Sequence, residues 1–291
     1  MNAIPKISFI KQDSDELEFE IFTLNSLFAR KDSINLRLDK PHRVDFYHIL
    51  YITSGTGRHF IDFRPFSFQA GDLIFISRGQ VHAFEVKPDR DGYVILFTEE
   101  FLAKNLIHAD LPSLNRLYNY HLYSPVLETR SKEFAAMIAE LYQEYSAAEE
   151  YAREEILRLL LKLLLLKAER IKHAQTAQHK NTGWLRKFTL LRSHVEQNYS
   201  TTRNARDYAA MLHISYKNLN EICKALTGKT AKAFIDHFVT LEIKRHLAMT
   251  NLSVKELTYA LGFDEPTNLI KFFRKHTGLT PTQFRKNLQK T

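Results

Sequence analysis

Between residues 43 and 97 apolar side chains come in short runs, 46–53, 57–63, 72–77 and 93–97, rich in β-branched and aromatic residues. Runs of that kind suit a pleated, half-buried surface and predict strands. Ser54-Gly55, Gly71-Asp72 and Asp91-Gly92 separate them, a spacing that points to a small antiparallel barrel or sandwich. After Phe97 the apolar positions take the helical period. A short helix is predicted over 99–105 and longer ones over roughly 131–147 and 151–174.

The last of these helices is apolar on nearly every face, with Ile156, Leu157, Leu159, Leu160, Leu161, Leu163, Leu164, Leu165 and Leu166 in succession. Such a helix must be covered on both sides. One side is expected against the strands; the other meets either more of its own chain or the same helix of a second subunit, as in a homodimer. A polar, weakly patterned stretch follows. The chain is therefore read as an N-terminal domain over 1–174, a linker over 175–183 and a helical domain over 184–291.

The helical domain repeats itself. Residues 204–215 align with 253–264 at an offset of 49, and 219–230 with 269–280 at an offset of 50. Each copy opens with a cap: Ser253-x-x-Glu256 is a capping box, and Asn204-x-x-Asp207 puts an acid in the first turn, where the helix dipole favours it. A short helix, a tight turn at His213-Ile214 or Gly262-Phe263 and a second helix from Ser215 or Asp264 complete helix-turn-helix grammar. The crowded centre of such a turn suits Gly262 directly and His213 less well. A long helix over 231–249 joins the copies and would fix their separation.

Charge adds a partner to this picture. Residues 183–291 hold 18 Lys plus Arg against 8 Asp plus Glu, whereas 1–182 hold 23 against 25, so the net excess of +8 comes from the last part of the chain. A basic module beside a near-neutral one is the footprint of a polyanion-binding domain attached to something with another task. The lone Cys223 excludes a disulfide framework and a cysteine-built zinc finger, and fits the cytoplasm. Residues 1–12 contain no apolar stretch of the secretory type, and the apolar run 156–166 is short and broken by Arg158 and Lys162, so no membrane partner is expected.

The paired units, Leu261-Gly262-Phe263, the run Phe273-Arg274-Lys275-His276-Thr277-Gly278 and Thr280-Pro281-x-x-Phe284-Arg285 together resemble the AraC/XylS family of bacterial transcription regulators. The resemblance covers about the last hundred residues. Thr258, where the family usually has Ala, and the pair Leu269-Ile270 depart from it. The resemblance implies an α+β protein, a cupin-like N-terminal barrel with dimerisation helices followed by an all-α double helix-turn-helix domain.

In such a unit the second helix enters the major groove with its first turns towards base edges. Carried onto this chain, the family's arrangement points to Lys217, Asn220 and Glu221 in the first reader and Thr267, Asn268 and Lys271 in the second. Their chemistry suits the task, because Asn can pair with adenine, Lys with guanine and Glu with cytosine. Tyr216, Lys224, Arg274 and Lys275 fall on flanks suited to phosphate. Pro266 can open the second reader, since a first-turn residue needs no N–H.

The run Gly71-Asp72-Leu73-Ile74-Phe75-Ile76-Ser77-Arg78-Gly79-Gln80-Val81-His82 resembles the second cupin motif, with Ser77 where Pro is usual. The first cupin motif is broken, with His42, Val44, His48 and Gly55 where metal-binding cupins carry His, His, Glu and Gly. Imidazoles at 42, 48 and 82 could converge on a metal, yet the missing His and carboxylate argue against one, and no metal or cofactor is expected. The family implies instead a pocket for a small organic effector, with Phe46 and Phe84 as walls and His48 and His82 as polar handles; a filled barrel used only for dimerisation is the blander reading. The leading expectation is a sequence-specific DNA-binding transcription regulator, an activator under effector control that works with RNA polymerase by family analogy. The alternatives are a cupin oxygenase or isomerase with a DNA-binding tail, and a nonspecific nucleic-acid-coating protein.

Overall fold

The computed structural model describes residues 6–7, 17–29, 40–85, 90–104, 116–129, 131–147, 151–176 and 182–288. The chain divides after Thr176 into two compact units. The residues of the expected linker from 177 to 181 lie outside the described ones.

The first unit is built from two five-stranded sheets. One runs β1 (Lys6–Ile7), β3 (His42–Val44), β8 (Val81–Ala83), β5 (Thr56–Ile61) and β6 (Arg64–Gln69); the other runs β10 (Val126–Leu127), β7 (Leu73–Ile76), β4 (Tyr47–Ser54), β9 (Asp91–Phe97) and β2 (Phe19–Thr23). Neighbours are antiparallel except β1 with β3.

Strand side chains alternate between faces, and register turns that alternation into two cores. His48 lies opposite Ile76 and Leu96, and Leu50 opposite Ile74 and Val94. These inward residues pack with Val44, Ile61 and Phe68 of the other sheet to fill the space between the sheets. Ile49, Tyr51, Phe75, Ile95 and Phe97 point the other way. They are covered by α3 (Glu133–Ser146) and α4 (Arg153–Gln175), through Phe134, Ile138, Leu141, Leu157, Leu161, Leu164 and Leu165. The β4–β7–β9 sheet is thus buried on both faces, which explains its nearly unbroken apolar strands.

The run 57–63, read from sequence as one strand, breaks in the middle. Asp62 and Phe63 adopt left-handed φ values of 49° and 66°, and the chain doubles back as the β5–β6 hairpin, pairing Ile61 with Arg64. Two such residues make the tight turn whose twist matches flanking strands. Asp62 is held there by contacts distant in sequence: its carboxylate accepts from Gln80 Nε2 at 2.8 Å and from the Val81 N–H at 3.2 Å.

Helix α4 buries one face, but Ile156, Leu159, Leu163 and Leu166 remain 38–58% exposed. Their spacing of three and four residues sets them in one stripe along the helix. Arg158 is buried beneath and donates from Nε to the Phe101 carbonyl at 2.8 Å, which ties α4 to α2 (Glu99–Ala103).

The second unit contains α5 (Thr182–Asn198), α6 (Ala205–Met211), α7 (Tyr216–Thr227), α8 (Ala231–Met249), α9 (Val254–Ala260), α10 (Pro266–Thr277) and α11 (Pro281–Leu288). The caps at Asn204 and Ser253 fall as the sequence predicts, whereas the second helices, expected from Ser215 and Asp264, begin at Tyr216 and Pro266 behind the N-cap residues Ser215 and Glu265. Asn204 accepts from the Arg206 N–H, Ser215 from that of Asn218, and Ser253 with Glu256 completes a capping box. The long helix α8 is the spine, with α7, α10 and α11 packed on it. It buries apolar Phe234, Ile235, Phe238, Val239 and Ile243 together with the ion pair Arg245–Glu242, 2.5 Å apart. Arg285 of α11 donates to the carbonyls of Leu247 and Leu252 at 3.2 and 2.8 Å, satisfying backbone oxygens at and beyond the end of α8. No helix among the described residues is long and apolar enough to cross a membrane.

Candidate nucleic-acid interface and ligand cleft

The two helix-turn-helix units repeat in their hydrogen bonds as well as in sequence. Ile214 N–H donates to the Ala209 carbonyl and Phe263 N–H to that of Thr258, at 3.0 and 2.9 Å. Both turns require a left-handed residue, His213 at φ 52° and Gly262 at φ 68°. His213 is exposed and has room for its side chain. Gly262 does not, because a Cβ there would lie 1.6 Å from the Ser200 carbonyl oxygen. Thr258 is wholly buried, and its hydroxyl donates to the Val254 carbonyl at 2.7 Å, so the departure from Ala leaves no unsatisfied group.

Core contacts decide which face the second helix of each unit presents. Helix α7 buries Leu219, Ile222, Cys223 and Leu226, and α10 buries Leu269 and Phe273. Opposite these lie Lys217, Glu221 and Lys224 on α7 and Thr267, Lys271 and Arg274 on α10, all exposed. They are spaced i, i+4 and i+7, so each set forms one stripe. The two stripes correspond at the repeat offset of 50.

This placement redistributes the residues singled out from sequence. Lys224 and Arg274, expected at phosphates, lie in line with the expected readers. Asn220 is half-buried on the flank, and its Oδ1 accepts from the Ala231 N–H at 2.9 Å, at the start of α8. Asn268 and Lys275 are exposed on the flank of that stripe, three residues before and four after Lys271. Tyr216 is 41% exposed with the Arg206 guanidinium 6.0 Å from its ring centre. The stripe becomes visible only once the buried face of each helix is known.

In the first unit the structure gathers four histidines between the sheets. His82 lies with its ring centre 4.2 Å from that of His42, 4.9 Å from His48 and 5.3 Å from His59. His59 escaped the sequence reading, although its phase on β5, two residues before inward Ile61, is the signal that would have found it. His59 Nε2 and His82 Nδ1 share a hydrogen bond of 3.1 Å, and His42 Nδ1 is 3.1 Å from the Lys40 carbonyl oxygen. Both nitrogens of His48 and Nε2 of His82 are buried without a hydrogen-bond partner. Burial disfavours the imidazolium in all four: His59 is pushed down to about 3, His48 and His82 fall well below the ordinary histidine value, and His42 is lowered despite its carbonyl contact. The cluster is therefore neutral. Among the described residues no group of three or more His, Cys, Asp or Glu is arranged to hold a metal ion.

Phe46 stacks on His48 at 4.8 Å, and Phe84 meets His59 and His82 edge-on at 5.0 and 5.5 Å. Of the four residues expected to form an effector pocket, Phe46, His48 and His82 are packed inside and Phe84 alone lines a cleft. That cleft opens beside α1 (Leu24–Ala29). Its walls are Leu24, Phe28, Leu50, Ile52, Phe68 and Phe84, and His59, Arg58, Arg90 and Glu85 also line it. The free space is about 20 Å³, room for one water molecule. Arg90 is 6% exposed, donates to the Glu85 carboxylate at 3.1 Å and has its guanidinium carbon 5.5 Å from the Phe68 ring centre. Gly57 makes this possible, since a Cβ there would come within 2.3 Å of the guanidinium.

Comparison with known proteins bears on both sites. Residues 26–164 match the AraC-like ligand binding domain family, and residues 208–287 match a helix-turn-helix domain family. The HTH-type transcriptional activator RhaS of Shigella dysenteriae is 21% identical over 258 residues, covering 84% of this chain and 86% of that protein. RhaS of Escherichia coli O81 matches at the same identity and coverage. Among solved structures, ToxT from Vibrio cholerae aligns over 92% of this chain and 98% of its own at 12% identity and a TM-score of 0.46.

Proposed function

The chain is a member of the AraC family of DNA-binding transcription regulators, with a ligand-binding domain ahead of its helix-turn-helix units, and we propose that it activates transcription from a specific DNA site under the control of a small molecule. Activation follows the relatives named as transcriptional activators and would proceed through RNA polymerase in the cytoplasm. The observation that carries the reading is the pair of equivalent exposed stripes, Lys217–Glu221–Lys224 and Thr267–Lys271–Arg274, on the second helices of two repeated units.

Lys217, Glu221, Thr267 and Lys271 are the proposed base readers, now joined by Lys224 and Arg274, which have donors suited to guanine. Asn268, Lys275 and Tyr216 flank them towards the backbone. Asn220 serves first as the acceptor for Ala231. Two readers on one unit would occupy successive major grooves, roughly 34 Å apart. The exposed apolar stripe of α4 is the proposed contact with a second copy, because leaving it in water forgoes about 1.5–3 kcal/mol for each large side chain fully covered. No catalytic role is proposed for the barrel.

Selecting bound sequences from a random duplex pool tests the reading. A bipartite site with halves about one helical turn apart is expected. Equal retention of all sequences would leave a nonspecific coating protein in its place.

A further inference from the structure

The two helix-turn-helix units are alike in fold but unlike where their second helices begin. Helix α7 starts behind Ser215, whose Oγ accepts from the Asn218 N–H at 3.1 Å; its first turn contains no acid, and the cation Lys217 opens its outward stripe. At the repeat offset of 50 the second unit has Glu265 and Thr267 in those places. Glu265 is the N-cap residue of α10, yet its side chain makes no capping bond, and Pro266 after it has no N–H to offer. The carboxylate turns instead to the outward stripe, where Thr267 Oγ1 donates to Glu265 Oε2 at 3.2 Å, and both residues are exposed. Asp264 beside it lies in the field of the Arg203 guanidinium; among the described residues no cation is paired with Glu265.

The bond between the two side chains fixes what they present. With the Thr267 proton committed to the carboxylate, this end of α10 shows oxygen lone pairs alone. The helix dipole favours an acid at an N-terminus, which accounts for a tolerated Glu265, but the same charge repels a DNA phosphate brought to that end. A base donor is the complement that remains. In the major groove guanine shows only acceptors, thymine an acceptor and a methyl group, and adenine sets its N7 acceptor beside its amine, whereas cytosine presents the N4 amine by itself.

We infer that Glu265, with Thr267 held to it, determines the specificity of the second unit by accepting from a cytosine amine at one base pair, so that the two halves of the DNA site differ and the chain binds it in one orientation. The inference rests on the proposed reading of a specific DNA site by the outward stripes. Lys217 occupies the place of Thr267 in the first unit and offers a donor suited to guanine. The repeat therefore carries one fold into two different base preferences.

Selection from a random duplex pool with the full chain, repeated with two variants, tests this. The unaltered chain should select cytosine at one position of the half whose preference Lys271→Ala relaxes. Glu265→Gln, whose amide suits adenine, should shift that position to adenine. Glu265→Ser together with Thr267→Lys, which copies the first unit, should shift it to guanine and weaken binding to the original site at least about tenfold. The same double variant should hold random duplex as tightly as before or tighter, because a negative charge is lost and a positive one gained. Ser is a favoured N-cap residue, so the melting temperature should not fall, and a loss of fold would not exchange one preferred base for another. No cytosine preference in that half, base frequencies unchanged in both variants, or equal losses on every sequence overturns the inference alone. Equal retention of all sequences by the unaltered chain overturns it together with the proposed reading of a specific site.

Discussion

Gly262 packs directly on the backbone of Ser200: a Cβ at position 262 would sit 1.6 Å from the Ser200 carbonyl oxygen. Arg203, three residues on, donates to the Gly262 carbonyl and lays its guanidinium carbon 3.7 Å from the centre of the Phe263 ring. The turn of the second helix-turn-helix unit is thus fastened to the segment that leads into the first.

Gly262→Ala should therefore destabilise the helical unit strongly. The obstacle is backbone, which cannot rotate away, and φ is 68°. A loss of about 3 kcal/mol is expected from the crowding and the left-handed backbone together, measured by denaturant unfolding. His213→Gly, at the equivalent but open turn, should change stability by less than about 1 kcal/mol.

The roles proposed for Lys271 and Lys275, base reading and phosphate anchoring, can be told apart. Lys271 lies on the outward stripe and Lys275 on its flank, both exposed. Lys271→Ala should relax preference at one base pair and cost about 1–3 kcal/mol on the selected site. Lys275→Ala should weaken all duplexes alike and reduce the salt slope by about one. Binding titrations at several salt concentrations, on selected and random duplex, distinguish the two; equal losses on both duplexes for both variants would contradict the assignment.

The histidine cluster sets the acid limit of the first unit. Burial lowers the folded-state values of His42, His48, His59 and His82 below 6.5, so the unfolded chain binds more protons once the pH drops past that point. Stability is complete above about pH 6.5 and declines as the pH falls towards about 3, the folded value of His59. Each such group contributes up to about 1.4 kcal/mol per pH unit within its own window. His48→Phe should move acid unfolding to lower pH and, at neutral pH, leave stability unchanged or raise it by about 1 kcal/mol. Circular dichroism across a pH series reads both.

The stripe on α4 predicts self-association. Replacing Leu159 and Leu163, 58% and 45% exposed, with Glu should weaken a dimer at least about a hundredfold. Sedimentation should show monomers with undiminished helix content. Unaltered sedimentation of this variant would remove α4 from the interface.

Much of the helical unit was legible because its signals are local. Asn204, Ser215 and Ser253 cap the backbone within three residues of themselves, and the 49- and 50-residue offsets repeat whole units. Helix period and capping chemistry act over a turn or two, so they survive reading one residue at a time. The outward stripes needed more, since the buried face had to be known before Lys224 and Arg274 could be grouped with Lys217 and Lys271.

The barrel depended on contacts distant along the chain. Its strands could be found by composition, but the hairpin at Asp62-Phe63 is held by Gln80 and Val81. His42, His59 and His82 meet because β3 and β5 both pair with β8. A strand shows only which residues share a face; which faces come together, and how closely, is settled by register between strands. That is why helices, caps and the duplicated helix-turn-helix could be derived from residue order, while the histidine cluster and the narrow cleft beside it emerged only from the packing of one sheet against another.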